Sequence, residues 1–101
     1  MKIRVGNKIL QSVSLCSGEF AWKIEDAIFV LQYLKTKQKV ILGGDILNNK
    51  LEYTHDNWYY DTYGCQNHRV NIECSFDVSI EYLKNYIDKN GTSFYVVIVC
   101  S

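Results

Sequence analysis

The segment Ser93-Phe94-Tyr95-Val96-Val97-Ile98-Val99-Cys100 decides the fold. From Tyr95 to Val99 it is apolar without a break. A strand with one face in water alternates apolar and polar residues, whereas a strand covered on both faces need not. The β-branched run therefore predicts a central strand over Ser93–Cys100. Neither this run nor Val40-Ile41-Leu42 approaches the ~20 apolar residues of a membrane span.

Just before this strand, Asn90-Gly91 supplies the left-handed geometry that stops a helix. The pattern upstream predicts that helix over Asp77–Lys89. Ile80, Leu83 and Ile87 line one face with Tyr86 beside them, and Ser75 or Asp77 is placed to cap the start. A first helix is predicted from Lys23 to about Thr36, where Ile24, Ala27, Ile28, Leu31 and Leu34 recur at helical spacing. Glu25 and Asp26 in its first turn and Lys35, Lys37 and Lys39 near its end suit the helix dipole. Lys23 occupies the cap position, where Thr or Pro would serve better.

Between the helices lie strand signals. Lys39-Val40-Ile41-Leu42 is short and β-branched. Gly43-Gly44 interrupts it, and Asp45 to Leu47 continues beyond a kink or bulge. Asn48-Asn49-Lys50 reads as a turn, with Leu51–Thr54 as the return strand. Asn57–Asp61 is read as another strand, Val70–Cys74 as a weakly alternating one, and Lys2–Val5 as an edge strand. The order predicts one α+β domain over residues 1–101. It has a mixed or antiparallel sheet of about four to six strands and two main helices.

Composition narrows the function. The 101 residues carry 11 Lys+Arg and 11 Asp+Glu, so net charge is zero, and a general nucleic-acid binder would show a basic excess. An aromatic content of 14% excludes a disordered chain. A chain this long buries a core without disulfides or metal. Proline is absent, and Phe, Tyr, Ile, Asn and Lys make up 39 of the residues, as the codons of an AT-rich genome would give. The zero hides a split: residues 1–50 carry +4 and residues 51–101 carry −4.

A secretory leader is not expected, since Gln11, Ser12 and Ser14 interrupt the Ile9–Leu15 stretch. Val13-Ser14-Leu15-Cys16 is similar to a lipoprotein cleavage box, but Leu15 stands where a small residue is needed. The expectation is a cytoplasmic protein with no membrane partner. Cys16, Cys65, Cys74 and Cys100 form no C-x-x-C, so free thiols in a reducing compartment are expected. Cys65, His68 and Cys74 give three zinc-type ligands with no fourth nearby. No metal or cofactor is expected, and Cys100 reads as a small buried hydrophobe.

Three further groups could carry chemistry. Gly43-Gly44-Asp45 could let a backbone approach a ligand closely while Asp45 holds a metal or a ribose hydroxyl, although a strand kink with Asp45 bonded to local backbone amides is the simpler reading. The alternative function is thus a small-ligand or nucleotide-binding domain using that loop. His55-Asp56 is similar to a metal-phosphohydrolase dipeptide, yet His68 is the only other histidine; Asp56 reads better as the start of a turn. Cys16, Cys65 or Cys74 could pair with His55 or His68 as an activated nucleophile, but no nucleophile elbow accompanies them.

The aromatic-acidic segment from Leu51 to Gly64 is the most informative. It holds Tyr53, Trp58, Tyr59, Tyr60 and Tyr63 among Glu52, Asp56 and Asp61, with no base between Lys50 and Arg69. Tyr and Trp give large contact area at low entropic cost, and surrounding acids draw in a basic partner. Neighbours on a strand face opposite ways, so Trp58 is expected in the core and Tyr59 at the surface.

Five stretches, taken in order, resemble a known family: Ala21-Trp22 leading into Glu25-Asp26-Ala27, the box Val40 to Asp45, Tyr53 with Asp56-Asn57-Trp58-Tyr59, Tyr86-Ile87, and Tyr95-Val96-Val97. The family is immunity protein 40 of bacterial polymorphic toxin systems, and the likeness runs from about residue 20 to 99. Trp22, Gly43, Gly44, Asp45, Asn57 and Trp58 are its marker residues. The resemblance implies a small non-enzymatic protein of the bacterial cytoplasm that binds and neutralises a cognate toxin, and it carries over no catalytic residue. A nuclease toxin would present a basic cleft. Glu52, Asp56, Tyr59, Tyr60, Asp61 and Tyr63 are the residues expected to face it, with no direct contact to nucleic acid.

Overall fold

The computed structural model describes residues 1–101. Its elements in chain order are β1 (Lys2–Val5), β2 (Lys8–Gln11), β3 (Val13–Ser14), β4 (Phe20–Lys23), α1 (Ile24–Thr36), β5 (Ile41–Leu47), β6 (Tyr53–Tyr59), α2 (His68–Asn90) and β7 (Tyr95–Cys100). Five strands form one sheet in the order β3-β4-β7-β5-β6, and every neighbouring pair is antiparallel. The last strand is the middle of the sheet, as its apolar run requires. The fold is α+β.

Antiparallel pairing on both sides of β7 makes β4 parallel to β5, and α1 connects those two across β7. In the same way α2 connects β6 to its parallel partner β7 across β5. The two crossovers are related by a half-turn about the sheet normal. If each is right-handed, as such crossovers are, both helices must land on one face. One core accordingly holds Ile24, Ala27, Val30 and Leu31 of α1, Leu83 of α2, and Trp22, Ile41, Ile46, Trp58 and Val96 of the sheet. The opposite face holds a second, smaller cluster of Ala21, Leu47 and Val97, with Leu15, Leu51 and Tyr95 packed on it.

Several local expectations are corrected. Lys2–Val5 is not an edge of the main sheet. It pairs with β2 in a separate two-stranded ribbon whose Ile3 and Leu10 reach the helix-side core. Gly43-Gly44 does not interrupt a strand and is not a loop, because β5 runs straight through it between β7 and β6. A one-residue bulge, where Ile41 pairs with Cys100 but Gly43 pairs with Val99, lies before the glycines. Gly44 is glycine for a packing reason: a Cβ there would press into the Trp58 ring and meet the Val97 carbonyl oxygen at 2.5 Å. Gly43 has φ +148° and would press a Cβ against the Trp58 carbonyl oxygen.

The two strands expected over Leu51–Thr54 and Asn57–Asp61 are one strand, β6, and Asp56 lies within it rather than opening a turn. Pairing jumps from Asp45 with Asn57 to Leu47 with Tyr53, so β6 carries two residues more than β5 over that stretch. His55 takes φ 74° there. The Thr54 hydroxyl replaces the lost ladder bonds by donating to the Ile46 carbonyl (2.9 Å) and accepting from the Asp56 amide (3.2 Å).

The largest correction concerns α2, which begins at His68 and not Asp77 and absorbs the strand expected over Val70–Cys74. Its cap is Asn67, whose side chain accepts from the Val70 amide at 3.1 Å; Ser75 and Asp77 lie well inside the helix. Its buried face begins with Asn71, Ile72, Ser75 and Ser79, too polar to read as a helix stripe. The serines are buried because they bond to the sheet. Ser75 accepts from the Ile41 amide at 3.0 Å, and Ser79 accepts from Trp58 Nε1 at 2.9 Å while donating to the Ser75 carbonyl at 2.7 Å. At the start of α1, Lys23 gives no side-chain cap; the Ile24 amide donates to the Phe94 carbonyl at 3.0 Å, extending the β4–β7 ladder into the helix.

Two outcomes follow in urea unfolding. Gly44→Ala should cost about 2 kcal/mol or more through overpacking against Trp58. Ser79→Ala should cost about 1–3 kcal/mol by orphaning the indole N–H, and much less when Trp58→Phe is already present.

Candidate functional site

Register fixes what the helix-free face of the sheet presents. Across β7, β5 and β6 it carries three rows: Val99, Gly43 and Tyr59; then Val97, Asp45 and Asn57; then Tyr95, Leu47 and Tyr53. The third row is roofed by Leu15 and Leu51 from the neighbouring loops. The first row is open, with Tyr59 78% and Val99 41% exposed. Tyr53 crosses towards the loop before β4 and donates its hydroxyl to Glu19 Oε1 at 3.1 Å. Burial, that bond and the charges of Glu19 and Asp45 all push the Tyr53 phenol upward.

The residues expected to bind a partner do not share one face. Tyr59 belongs to the open row. Tyr60 turns inward and donates to Asn71 Oδ1 on α2 at 2.8 Å. Asp56 also turns towards α2 and accepts from the Tyr86 hydroxyl at 2.8 Å. Glu52 sits in the β5–β6 turn, accepting from the Asn48 side-chain amide at 3.0 Å. Asp61 and Tyr63 lie on the exposed connection to α2, where the Asp61 carboxylate accepts from the Tyr63 amide at 2.8 Å and Tyr63 is 95% exposed. Among the family marker residues, Trp22, Gly43, Gly44 and Trp58 are buried, Asp45 is half-buried, and Asn57 is exposed beside it.

The ion pairs of the protein are Lys8–Asp26 at 3.9 Å and Lys35–Glu73 at 3.1 Å. Glu19, Asp45, Glu52, Asp56 and Asp61 form no ion pair, and all but Asp45 accept hydrogen bonds from hydroxyls or amides. Sequence reading missed Glu19 and Val99 in this setting and placed Tyr53 in the aromatic-acidic segment without its partner. Counting alternate residues outward from a buried Trp58 finds Asn57 and Tyr59, but nothing in the chain brings Glu19 to Tyr53.

The zinc-type residues are not assembled: no three His, Cys, Asp or Glu side chains come close enough to share an ion. His68 Nε2 instead meets the Gln38 carbonyl at 3.1 Å. An apolar cleft of about 230 Å³ opens between α1 and the sheet and is lined by Met1, Ile3, Phe20, Trp22, Tyr33 and Ile98 among others. Cys100 also lines it and is only half-buried. No helix is long and apolar enough to cross a membrane.

A family model described as immunity protein 40 matches residues 9–100. No curated protein and no solved structure matches the chain.

The Asp56–Tyr86 contact has a readable consequence. Burial first, then the Asp56 hydrogen bond and charge, push the Tyr86 phenol up to about 12. A phenol raised above its unfolded value near 10 stabilises the fold fully below pH ~10, and that stability is lost as pH rises through the folded value. Absorbance titration of the phenolate band should show its highest step removed by Tyr86→Phe and lowered by Asp56→Asn.

Proposed function

Because the chain belongs to the immunity protein 40 family, we propose that it neutralises a cognate bacterial toxin domain by binding it, as one domain over residues 1–101 acting in the cytoplasm without catalysis of its own. The observation that supports this reading best is the set of five acids without basic partners around exposed tyrosines on and beside β6. Such a surface pays no stability back to the fold through ion pairs, and it sets up an attractive field for a positively charged protein. A toxin that cleaves nucleic acid must hold phosphates in a basic cleft, so a nuclease domain is the partner this field fits. The nucleotide-binding alternative loses its basis, since the Gly43 to Asp45 backbone is engaged by strands on both sides.

In this reading Glu52, Asp56 and Asp61 steer the encounter and Tyr59 and Tyr63 offer exposed rings, while Tyr60 is turned to Asn71 of α2. The test uses the toxin domain encoded beside this gene, purified as an inactive variant. The wild type should bind it, protect cells expressing the active form, and associate more slowly as salt rises. The triple change Glu52→Gln, Asp56→Asn, Asp61→Asn should lower the association rate by about tenfold at low salt and flatten its salt dependence, with little effect on dissociation. Absence of a complex at low salt would overturn the function, and an unchanged salt slope would overturn the steering role.

A further inference from the structure

We propose that the toxin docks by adding an extended segment to the free edge of β7 at Ile98–Cys100, with one large apolar side chain of that segment seated in the cleft between α1 and the sheet. This rests on the inhibitory function proposed above and names a surface that performs it.

The free edge follows from the pairing. β4 accompanies β7 only from Tyr95 to Val97, whereas β5 accompanies it on to Cys100. Backbone polar groups of successive strand residues point to opposite sides. The Phe94 carbonyl accepts from the Ile24 amide, so Phe94 faces the β4 side; the Ser101 amide donates to the Val40 carbonyl, so Ser101 faces the β5 side. The extra residue of the nearby bulge belongs to β5, and β7 keeps its alternation. Cys100 therefore turns its N–H and C=O to the β4 side. Continuing the register of Trp22 with Val96 would set Gly18 opposite it, but there the chain has already turned, with the Gly18 amide donating to the Leu15 carbonyl. Main-chain groups left open on a strand edge are met by another extended chain. The outer edges of the sheet compete poorly, since β3 has two residues and β6 is broken by its bulge.

The cleft lies under this same edge. Ile98, Cys100, Phe20 and Trp22 wall it on the sheet side, and Tyr33 and Leu34 of α1, both half-buried, lie across from them. Its volume of about 230 Å³ falls short of the ~300–1,000 Å³ of small-molecule sites and exceeds the ~150 Å³ that takes one benzene ring. It suits one large side chain. An added strand turns alternate side chains to this face, so its anchor and its main chain engage together. Glu19 is the single charged side chain on the wall and forms no ion pair. A base beside the apolar anchor meets it, in keeping with the positively charged partner argued above.

The test uses the same inactive toxin domain, with variants first shown to melt as the wild type does. Amide exchange followed by NMR on the wild type should show Cys100 exchanging freely alone and at least about tenfold more slowly in the complex. Cys100→Phe fills the cleft from its wall and should weaken binding by about tenfold or more. Cys100→Pro removes an N–H that faces away from β5 and should weaken binding likewise. Glu19→Gln should lower affinity and flatten its salt dependence. Glu81→Lys, on the exposed side of α2, should change affinity less than about twofold. A Cys100 amide that exchanges as fast in the complex as alone, or wild-type affinity for Cys100→Phe, would overturn this surface while leaving the inhibitory function standing. A wild type that sediments as a dimer until Cys100→Phe is introduced would give the edge to a second copy and also overturn it. Failure of the wild type to bind the toxin would overturn both.

Discussion

Trp58 joins the two layers of this protein. Its ring lies on the bare Cα of Gly44, its indole N–H is held by Ser79 of α2 at 2.9 Å, and its other face stacks with Tyr82 at 5.0 Å between ring centres. The stack continues through Tyr86 to Phe94 just before β7. An indole buried without an acceptor would forfeit much of what its apolar area contributes, so Ser79 is not replaceable by a larger apolar residue. Ser75 applies the same solution to the Ile41 amide beside the bulge. Small polar side chains let α2 approach the sheet closely and bond to it.

That constraint divides the surface. Once Trp58 and Tyr60 face α2, strand alternation turns Asn57 and Tyr59 to the other side, where no helix lies. The interleaved crossovers leave that side uncovered because both helices share one face. Two loops roof the end containing Val97, Leu47 and Ala21, and the rest stays open. The face with least structural duty is thus also the one where exposed aromatic area and unpaired acids meet.

The charge split along the sequence takes on a different meaning in three dimensions. Part of the basic first half is internal bracing: Lys35 pairs with Glu73 and lies over Phe76 at 4.4 Å, tying α1 to α2. The acidic second half does not stay together. Asp56 is turned to Tyr86, Asp61 serves its own loop, and the open face instead borrows Asp45 and Glu19 from the first half. Segment composition gathers these groups in one stretch, but neighbours in sequence on a strand face opposite ways.

What the sequence by itself determined was whatever depends on local pattern. The unbroken run Tyr95–Val99 required the central strand, the spacing of Ile24, Ala27, Leu31 and Leu34 required α1, and the marker residues identified the family. The first half of α2 was illegible because its buried positions are serine and asparagine, whose burial is favourable only against the Trp58 and Ile41 donors and the Tyr60 hydroxyl. The continuity of β6 was hidden by a bulge whose bonds run through Thr54 to a different strand. The composition of the open face was decided by tertiary structure alone, since Glu19, Asp45, Tyr59 and Val99 come from four segments. Pairing register, which no local propensity encodes, is what sets them side by side.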